Sequence, residues 1–578
     1  MSIIKQMDEI LANKIAAGEV VEKCASVVKE LVENAIDAHA KEIIVEVKEA
    51  GIKEIKVTDD GVGMDREDAI NCFSRHATSK LITEEDLYHI NTLGFRGEAL
   101  ASIASVSKVE LSTSEGNIGT KVIIEGGKIK DISSGDARRG TTIIVKDLFY
   151  NTPARLKYMK SAYSELANIS EYLDKMALSY PNIRISLLND GNSLLKTDGS
   201  SNLLKVIKEI YGVEVAKKMI HIEGENNDYY VEGYISMPEI HRSNRSNMTL
   251  LVNGRVIKNS YINNVINDSY SNYKPESKFP ITVINIKCDP SLIDVNIHPT
   301  KMDVKFSKIE TLEELISNLI KDNLKHKTLI PERETVKVIN KPIYKALYVH
   351  EQESLDLERE TEYEVNDDLV VSNITPIEDK SDEEKIPELY PVGLVWGTFI
   401  ICQNEHGMYL IDEHAAKERI NYEIFKEQIN NPEHKKNSLL IPITIEYTNK
   451  EYIILKEYFD VIRNLGYEID EFGPNTVIIK ATPAWIKTGN EEEIIRSIID
   501  ILIEERQFDI EKFNEHVCAT AACKASIKAN TNITIEEMEN LINDLRKCKN
   551  PFHCPHGRPT IITYTKEDLE RQFKRSGF

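Results

Sequence analysis

The stretch Glu30-Leu-Val-Glu-Asn-Ala-Ile-Asp-Ala38 decides how this chain is read. As a helix it lets Leu31, Ala35 and Ala38 pack while Glu30, Asn34 and Asp37 recur at i, i+4 and i+7. A carboxylate, an amide and a second carboxylate then line one face. A solvated amphipathic helix shows the same row, and the helix alone does not separate the two readings. Its context does. Thr58-Asp59-Asp60-Gly61-Val62-Gly63-Met64 follows an alternating, strand-like run, and Gly94-Phe95-Arg96-Gly97-Glu98-Ala99-Leu100 comes next. Arg139-Gly140-Thr141-Thr142 then precedes a β-branched run. An acid-and-amide helix, an Asp-x-Gly-x-Gly turn and a second glycine loop together read as an ATP site. No GxxxxGK[ST] occurs, so it is not a Walker site. A lone Asp-x-Gly-x-Gly also makes an ordinary hairpin turn; four blocks in order are the signal.

These blocks resemble the GHKL ATPases, the superfamily of gyrase, heat-shock chaperones, histidine kinases and MutL. The fuller strings Ile15-Ala-Ala-Gly-Glu-Val-Val21, Glu30–Ala38, Arg75-His-Ala-Thr-Ser-Lys80 and Leu93–Val106 resemble the MutL mismatch-repair family in particular. The implied tasks suit the side chains. Asn34 offers its amide oxygen to Mg²⁺, a hard, oxygen-seeking ion, and Asp37 stands one turn on. Glu30 takes a proton from an attacking water. Asp59 accepts from the adenine amino group, while Gly61 and Gly63 let backbone approach the nucleotide. Gly94, Phe95, Arg96 and Gly97 form a lid whose amides cradle phosphate. Thr142 supports the adenine end, and His76, Thr78, Ser79 and Lys80 belong to a nucleotide-ordered loop. The segment Asn13–Val21 is either a packed first helix or, as the resemblance implies, an arm that crosses to a partner subunit. Cys24 stands where the family usually has proline.

Bulk properties bound the rest. A chain of 578 residues exceeds one core, so several domains are expected. No apolar run reaches the roughly 18 residues needed to span a bilayer, and Asp8 and Glu9 interrupt any signal-like start. The eight cysteines are scattered, which fits a reducing cytoplasm and leaves metal binding open. The net charge of −22 argues against nucleic acid as a partner. Positions 351–390, however, set only Arg359, Lys380 and Lys385 against many acids and hold roughly a dozen of the excess charges. Local basic patches therefore remain open.

The expected architecture is an α/β multidomain chain. It comprises a GHKL α/β sandwich over 1–205, a second α/β domain over 206–330, an acidic flexible linker over 331–388 and a C-terminal dimerisation domain over 389–578. Strands are expected near 229–236, 248–253 and 280–287. Leu251-Val-Asn-Gly-Arg255-Val-Ile-Lys258 resembles the family's DNA-proximal loop, so Arg242, Arg245, Arg255 and Lys258 are candidates for phosphate contact; solvated surface charge explains them equally well. Within Asp294–Phe306 the resemblance places Lys301 on the γ-phosphate, where a cation neutralises developing charge.

The C-terminal half offers a metal set. Asp412 ends a strand, and a helix from about His414 puts His414 and Glu418 on one face; far along the chain, an extended Cys554-Pro-His-Gly-Arg-Pro559 would point Cys554 and His556 one way. A capped helix and a proline-rich turn explain the two fragments separately. Together the five residues are a mixed soft and hard set suited to Zn²⁺ or Mn²⁺. They resemble the endonuclease-type MutL C-terminal domain, as do Ala522-Cys523-Lys524-Ala525 and Gln572-Phe-Lys574-Arg575, with Glu413 and Lys524 replacing the usual glutamine and arginine. Lys574 and Arg575 would steer DNA phosphate. The interval 436–515 reads as an inserted outer subdomain, opening on Asn437-Ser-Leu-Leu-Ile-Pro442, where related chains carry a glutamine-led sliding-clamp peptide.

The resemblance thus implies a homodimeric, cytoplasmic, nucleoid-associated repair protein with no membrane contact. It would bind ATP with Mg²⁺, work on double-stranded DNA with a MutS-type mismatch sensor, and meet a sliding clamp and a helicase. Two rivals stand beside it: an ATP-driven matchmaker whose metal set only braces the dimer, and a GHKL chaperone or topoisomerase subunit.

Overall fold

The computed structural model describes residues 21–75, 77–80, 93–94, 97–275, 278–294, 304–325, 386–429, 436–486, 489, 491–504, 509–526 and 533–573. The expected arm at Asn13–Val21, apart from Val21, and the linker before Ile386 lie outside them. Among the described residues no helix is long and apolar enough to cross a membrane.

The N-terminal half is an eight-stranded sheet: β1 (Glu42–Lys48), β2 (Glu54–Asp59), β3 (Lys108–Ser114), β4 (Gly119–Glu125), β5 (Lys128–Gly135), β6 (Gly140–Lys146), β7 (Arg184–Asn189) and β8 (Asn192–Lys196), in the order β5-β4-β3-β6-β2-β1-β7-β8. β1 shows why these are strands. In Glu-Ile-Ile-Val-Glu-Val-Lys every second residue, Ile43, Val45 and Val47, faces the core. Over that core lies α1 (Cys24–Asp37), whose Val27, Val28, Leu31, Val32 and Ala35 form the buried stripe. Ala38, expected to pack with them, is instead the cap residue, and its carbonyl accepts from the Val62 amide at 3.0 Å. α2 (Ala162–Ser179) backs α1, with the Tyr172 hydroxyl donating to the Lys29 carbonyl at 3.3 Å. α3 (Leu203–Tyr211) runs through the expected 205/206 boundary. Its Val206, Ile207 and Ile210 are buried in the first core, so the first domain extends beyond 205.

The second domain holds β9 (Met219–Glu225), β10 (Tyr229–Ser236), β12 (Met248–Val252), β13 (Arg255–Ile257) and β15 (Thr282–Cys288), ordered β13-β12-β15-β10-β9. The three expected strands are there. Short β11 (His241–Arg242) pairs with β14 (Phe279–Pro280), and β16 (Ile293–Asp294) pairs with β17 (Lys305–Phe306). α4 (Ile309–Lys325) closes this core with Leu312, Ile316, Ile320 and Leu324, one per turn.

In the C-terminal half β18 (Tyr390–Val395), β19 (Phe399–Asn404), β20 (Gly407–Asp412) and β24 (Ile561–Thr565) form a sheet in the order β18-β19-β20-β24. α5 (Glu413–Ile429) and a later helix, Ile535–Lys547, cover one face. Ile386 and Leu389 belong to this core, so the folded half begins by 386 rather than 389. Tyr390, Val392, Trp396 and Ile562 of the same sheet remain exposed. The inserted subdomain contains β21 (Lys436–Glu446), β22 (Glu468–Glu471), β23 (Thr476–Pro483), α6 (Asn449–Glu457) and α7 (Glu491–Glu504). α8 (Ile510–Ser526) begins before the expected limit at 515 and returns along α5. Phe425, Ile429, Phe513 and Val517 consequently share one core with the insertion.

Candidate functional sites

Helix α1 presents Glu30, Asn34 and Asp37 as half-buried groups. The Asn34 amide oxygen and the Asp37 carboxylate both face a cation, the Lys80 ammonium, at 3.0 and 2.5 Å. Asp37 also accepts from the Leu93 and Gly94 amides at 3.0 and 3.2 Å, tying the start of the glycine loop to the helix. The Thr78 hydroxyl accepts from the Lys80 amide at 3.1 Å, which fixes the start of that lysine. An amide oxygen and a carboxylate already gathered on a cation fit Mg²⁺ by donor chemistry.

At the other end, Asp59 is buried where β2 meets its turn, and its Oδ1 accepts from the Gly61 and Thr141 amides at 2.9 and 3.2 Å. Burial raises its carboxyl above the usual range, against those two bonds. Thr141, not Thr142, stands beside it. Strand alternation in β6 turns Thr142 to the opposite face, where its hydroxyl meets Thr58 at 3.3 Å and accepts from Arg138 at 3.1 Å. The inward Ile143 and Val145 carry that phase, so period-2 counting through β6 would have identified Thr141.

Gly63 has φ 77°, and a Cβ there would sit 2.0 Å from the Ser114 carbonyl oxygen. Gly63→Ala is therefore expected to destabilise the domain by about 3 kcal/mol, read from urea denaturation. His76, Phe95, Arg96 and Lys301 lie outside the described residues, as do Lys574 and Arg575; Gly97 is described, at φ 62°. Of the candidate DNA contacts, Arg255 lies beside Tyr180 at the junction of the two N-terminal domains, and Lys258 is exposed.

The C-terminal site is built on α5. Glu413 opens the helix, and Glu418 projects one turn in with its side chain only 3 % exposed. One Glu418 oxygen lies 3.3 Å from His414 Nε2, and the other lies 3.4 Å from His556 Nδ1. The Cys523 and Cys554 thiols hydrogen-bond to the same carboxylate. Burial pushes the Glu418 carboxyl up, but these thiols and the two imidazoles outweigh it and leave it below the usual range. Burial, then Glu418, pushes the Cys523 thiol up to about 11. Two ligand triads result, His414–Glu418–Cys523 and Glu418–Cys554–His556, each with its donor atoms within 4.8 Å of one another. They share Glu418.

Three points differ from expectation. Asp412 enters neither triad; its Oδ1 accepts from the Ala415 amide at 3.0 Å and caps α5. Cys554–Gly557 is a turn rather than an extended segment, closed by the Gly557 amide on the Cys554 carbonyl at 3.0 Å, yet both side chains still reach Glu418. Cys523 joins the site from α8, which packs on α5; the quoted Ala522-Cys523-Lys524 string was its only signal. Glu423 of α5 accepts from the Lys549 and Asn550 amides at 2.7 and 3.1 Å and holds the loop that carries Cys554. Two imidazoles, two thiols and a buried shared carboxylate fit Zn²⁺ or Mn²⁺ better than a purely structural ion pair.

Fold and site together define a GHKL-type ATPase joined to a dimerisation domain. Residues 22–145 match the histidine kinase-, DNA gyrase B- and HSP90-like ATPases, 207–325 the C-terminal domain of DNA mismatch repair proteins, and 392–533 the MutL C-terminal dimerisation domain. The MutL mismatch repair protein of Anoxybacillus flavithermus is 43 % identical over 606 residues, and that of Shouchella clausii 40 % over 652, each alignment covering 100 % of both chains. A Staphylococcus aureus MutL is 40 % identical over 669 residues with the same coverage. Among solved structures, the N-terminal domain of a DNA repair protein aligns with 54 % of this chain and 98 % of its own, at 26 % identity and TM-score 0.47. The Aquifex aeolicus MutL ATPase domain complexed with ADP aligns with 51 % of this chain and 98 % of its own, at 25 % identity and TM-score 0.38. This chain belongs to the MutL family of DNA mismatch repair proteins.

Proposed function

We propose that this chain is an ATP-dependent matchmaker that couples mismatch recognition to nicking of DNA by its own C-terminal half. The observation that carries the nuclease is Glu418, buried and faced by two thiols and two imidazoles. A divalent metal held there would supply an activated water and neutralise phosphate charge. His414, Glu418, Cys523, Cys554 and His556 would hold the metal, while Glu423 positions the Cys554 loop and Asp412 fixes the start of α5.

In the N-terminal half Glu30 acts as general base, Asn34 and Asp37 receive the phosphate-bound Mg²⁺, Asp59 reads adenine and Lys301 reaches the γ-phosphate. The Lys80 ammonium occupies the Asn34 oxygen that such an ion would need, so the two would compete for it. Arg255, Lys258, Lys574 and Arg575 contact DNA phosphates, and a MutS-type sensor delivers the complex to a mismatch. The exposed apolar residues of the β18–β24 sheet suit a homodimer interface. The eight cysteines are all free thiols, as a reducing cytoplasm would keep them.

Sliding-clamp docking is favoured by β21. Its register breaks between Ser438 and Ile443, and the intervening Leu440 and Ile441 are 99 % and 79 % exposed. Leu440→Ala combined with Ile441→Ala is expected to weaken binding to a bacterial sliding clamp at least about tenfold by surface plasmon resonance, Asn437 notwithstanding.

The nuclease reading is tested by conversion of supercoiled plasmid to open circles by the full-length protein with Mn²⁺. Nicking that a chelator stops is the expected result. No nicking, even with ATP and a sliding clamp present, would leave a matchmaker whose metal set is a brace.

A further inference from the structure

The outer subdomain does not stand clear of the N-terminal half. Its α6 lies along α2, and Ile453 is 4 % exposed within the N-terminal core rather than the subdomain's own. Around it the contacts are polar. Asn449 Nδ2 donates to Asp174 Oδ1 at 3.0 Å, Lys450 pairs with Glu171 at 2.9 Å, and Asn247 Nδ2 donates to Glu451 Oε1 at 3.3 Å. The Ser161 hydroxyl donates to Glu457 at 3.2 Å. From α7, Asp500 hydrogen-bonds to Ser243 with Lys278 and Arg242 close by.

Under α6 the covered surface carries Glu171 and Asp174, but the part that faces α7 is basic. Arg242, Arg245, Lys274 and Lys278 gather where β11 pairs with β14, with Arg245 and Lys274 at 5.0 and 5.8 Å from the Phe279 ring. Cations interleaved with an aromatic ring are the chemistry that holds a phosphate backbone. The insertion brings carboxylates to that place: Asp500 stands by Arg242 and Lys278, and Glu451 lies near Asp500. The seam also holds a cavity of about 750 Å³ lined from both halves, including Lys175, Asn247, Lys450 and Glu451. A polar seam around a void is readily parted. Residues 326–385 join the halves, a length of chain that can reach up to about 200 Å.

We propose that the outer subdomain and duplex DNA are alternative occupants of this one face. In the DNA-free chain α6 and α7 sit on α2 and the β11–β14 patch. Duplex takes their place by offering phosphates to the cations that Asp500 otherwise faces. The proposal rests on the DNA-binding reading above and adds a built-in competitor to it.

Lysine crosslinking with mass spectrometry on the full-length protein tests this. Lys175 and Lys450 both contact Glu171, at 2.5 and 2.9 Å, so a short amine-reactive reagent joins them when the halves are docked. The Lys175–Lys450 link is expected without DNA, and its yield should fall at least about fivefold when a duplex saturates the protein at low salt. Ile453→Asp places a carboxylate in the seam and leaves the subdomain's own core untouched. It should abolish the link and tighten duplex binding roughly three- to tenfold by fluorescence anisotropy. In that background Arg242→Glu with Lys278→Glu should weaken duplex binding again. A link yield unchanged while duplex is bound, or an Ile453→Asp protein with wild-type duplex affinity, would overturn the competition alone. Absence of duplex binding by both proteins at low salt would remove the DNA reading together with it.

Discussion

Glu418→Gln should abolish nicking while ATP turnover and dimerisation persist. Each Glu418 oxygen serves a different triad, so a single amide cannot replace it. Glutamine keeps one acceptor and turns the other into a donor aimed at an imidazole or a cation, in a position that is only 3 % exposed. Loss of a residue that only orients a metal ligand typically costs ten- to a hundredfold, and a shared ligand costs more. Plasmid nicking is expected to drop at least about a hundredfold in initial rate. The substitution preserves volume, so circular dichroism and sedimentation should match the wild type. A variant that nicks at the wild-type rate would show that the reacting phosphate lies elsewhere.

The second large effect falls on the other chemistry. Glu30→Ala should lower the ATP turnover number by about 10² to 10⁴ with little change in nucleotide affinity, because the lost group acts on the attacking water. Asn34→Ala should behave differently. It removes the amide oxygen that now faces the Lys80 ammonium at 3.0 Å, so Mg²⁺-dependent nucleotide binding should weaken and turnover follow. Isothermal titration with a non-hydrolysable ATP analogue separates the two. Loss of binding in Glu30→Ala would place that carboxylate among the binding groups rather than at the water.

Local pattern carried much of this architecture. The alternation of β1, the packed stripe of α1 and the one-per-turn spacing of α4 are visible in the chain because each element buries one face against a single layer. The glycines of the Asp59–Gly63 turn were equally legible, since a turn that needs φ 77° leaves few alternatives. What escaped was decided by contacts distant in sequence. Cys523 reaches Glu418 because α8 folds back on α5, a pairing across a hundred residues that no helical period announces. Asp412 looked like a ligand by its place in a string, yet the need to cap α5 claims one of its oxygens. The expected 205/206 boundary falls inside α3, whose Val206 and Ile210 pack backwards into the first core. Ile453 belongs to the insertion by its place in the chain. Only the docked arrangement gives it to the other half.

The most direct test is the metal content of the full-length protein after equilibrium dialysis against Zn²⁺ or Mn²⁺, measured by plasma mass spectrometry on the wild type and on Glu418→Ala. Two triads sharing one buried carboxylate predict up to about two ions per wild-type chain and near-complete loss in the variant. A wild type that retains no ion, or a Glu418→Ala protein that retains as much as the wild type, would contradict a metal site built on Glu418.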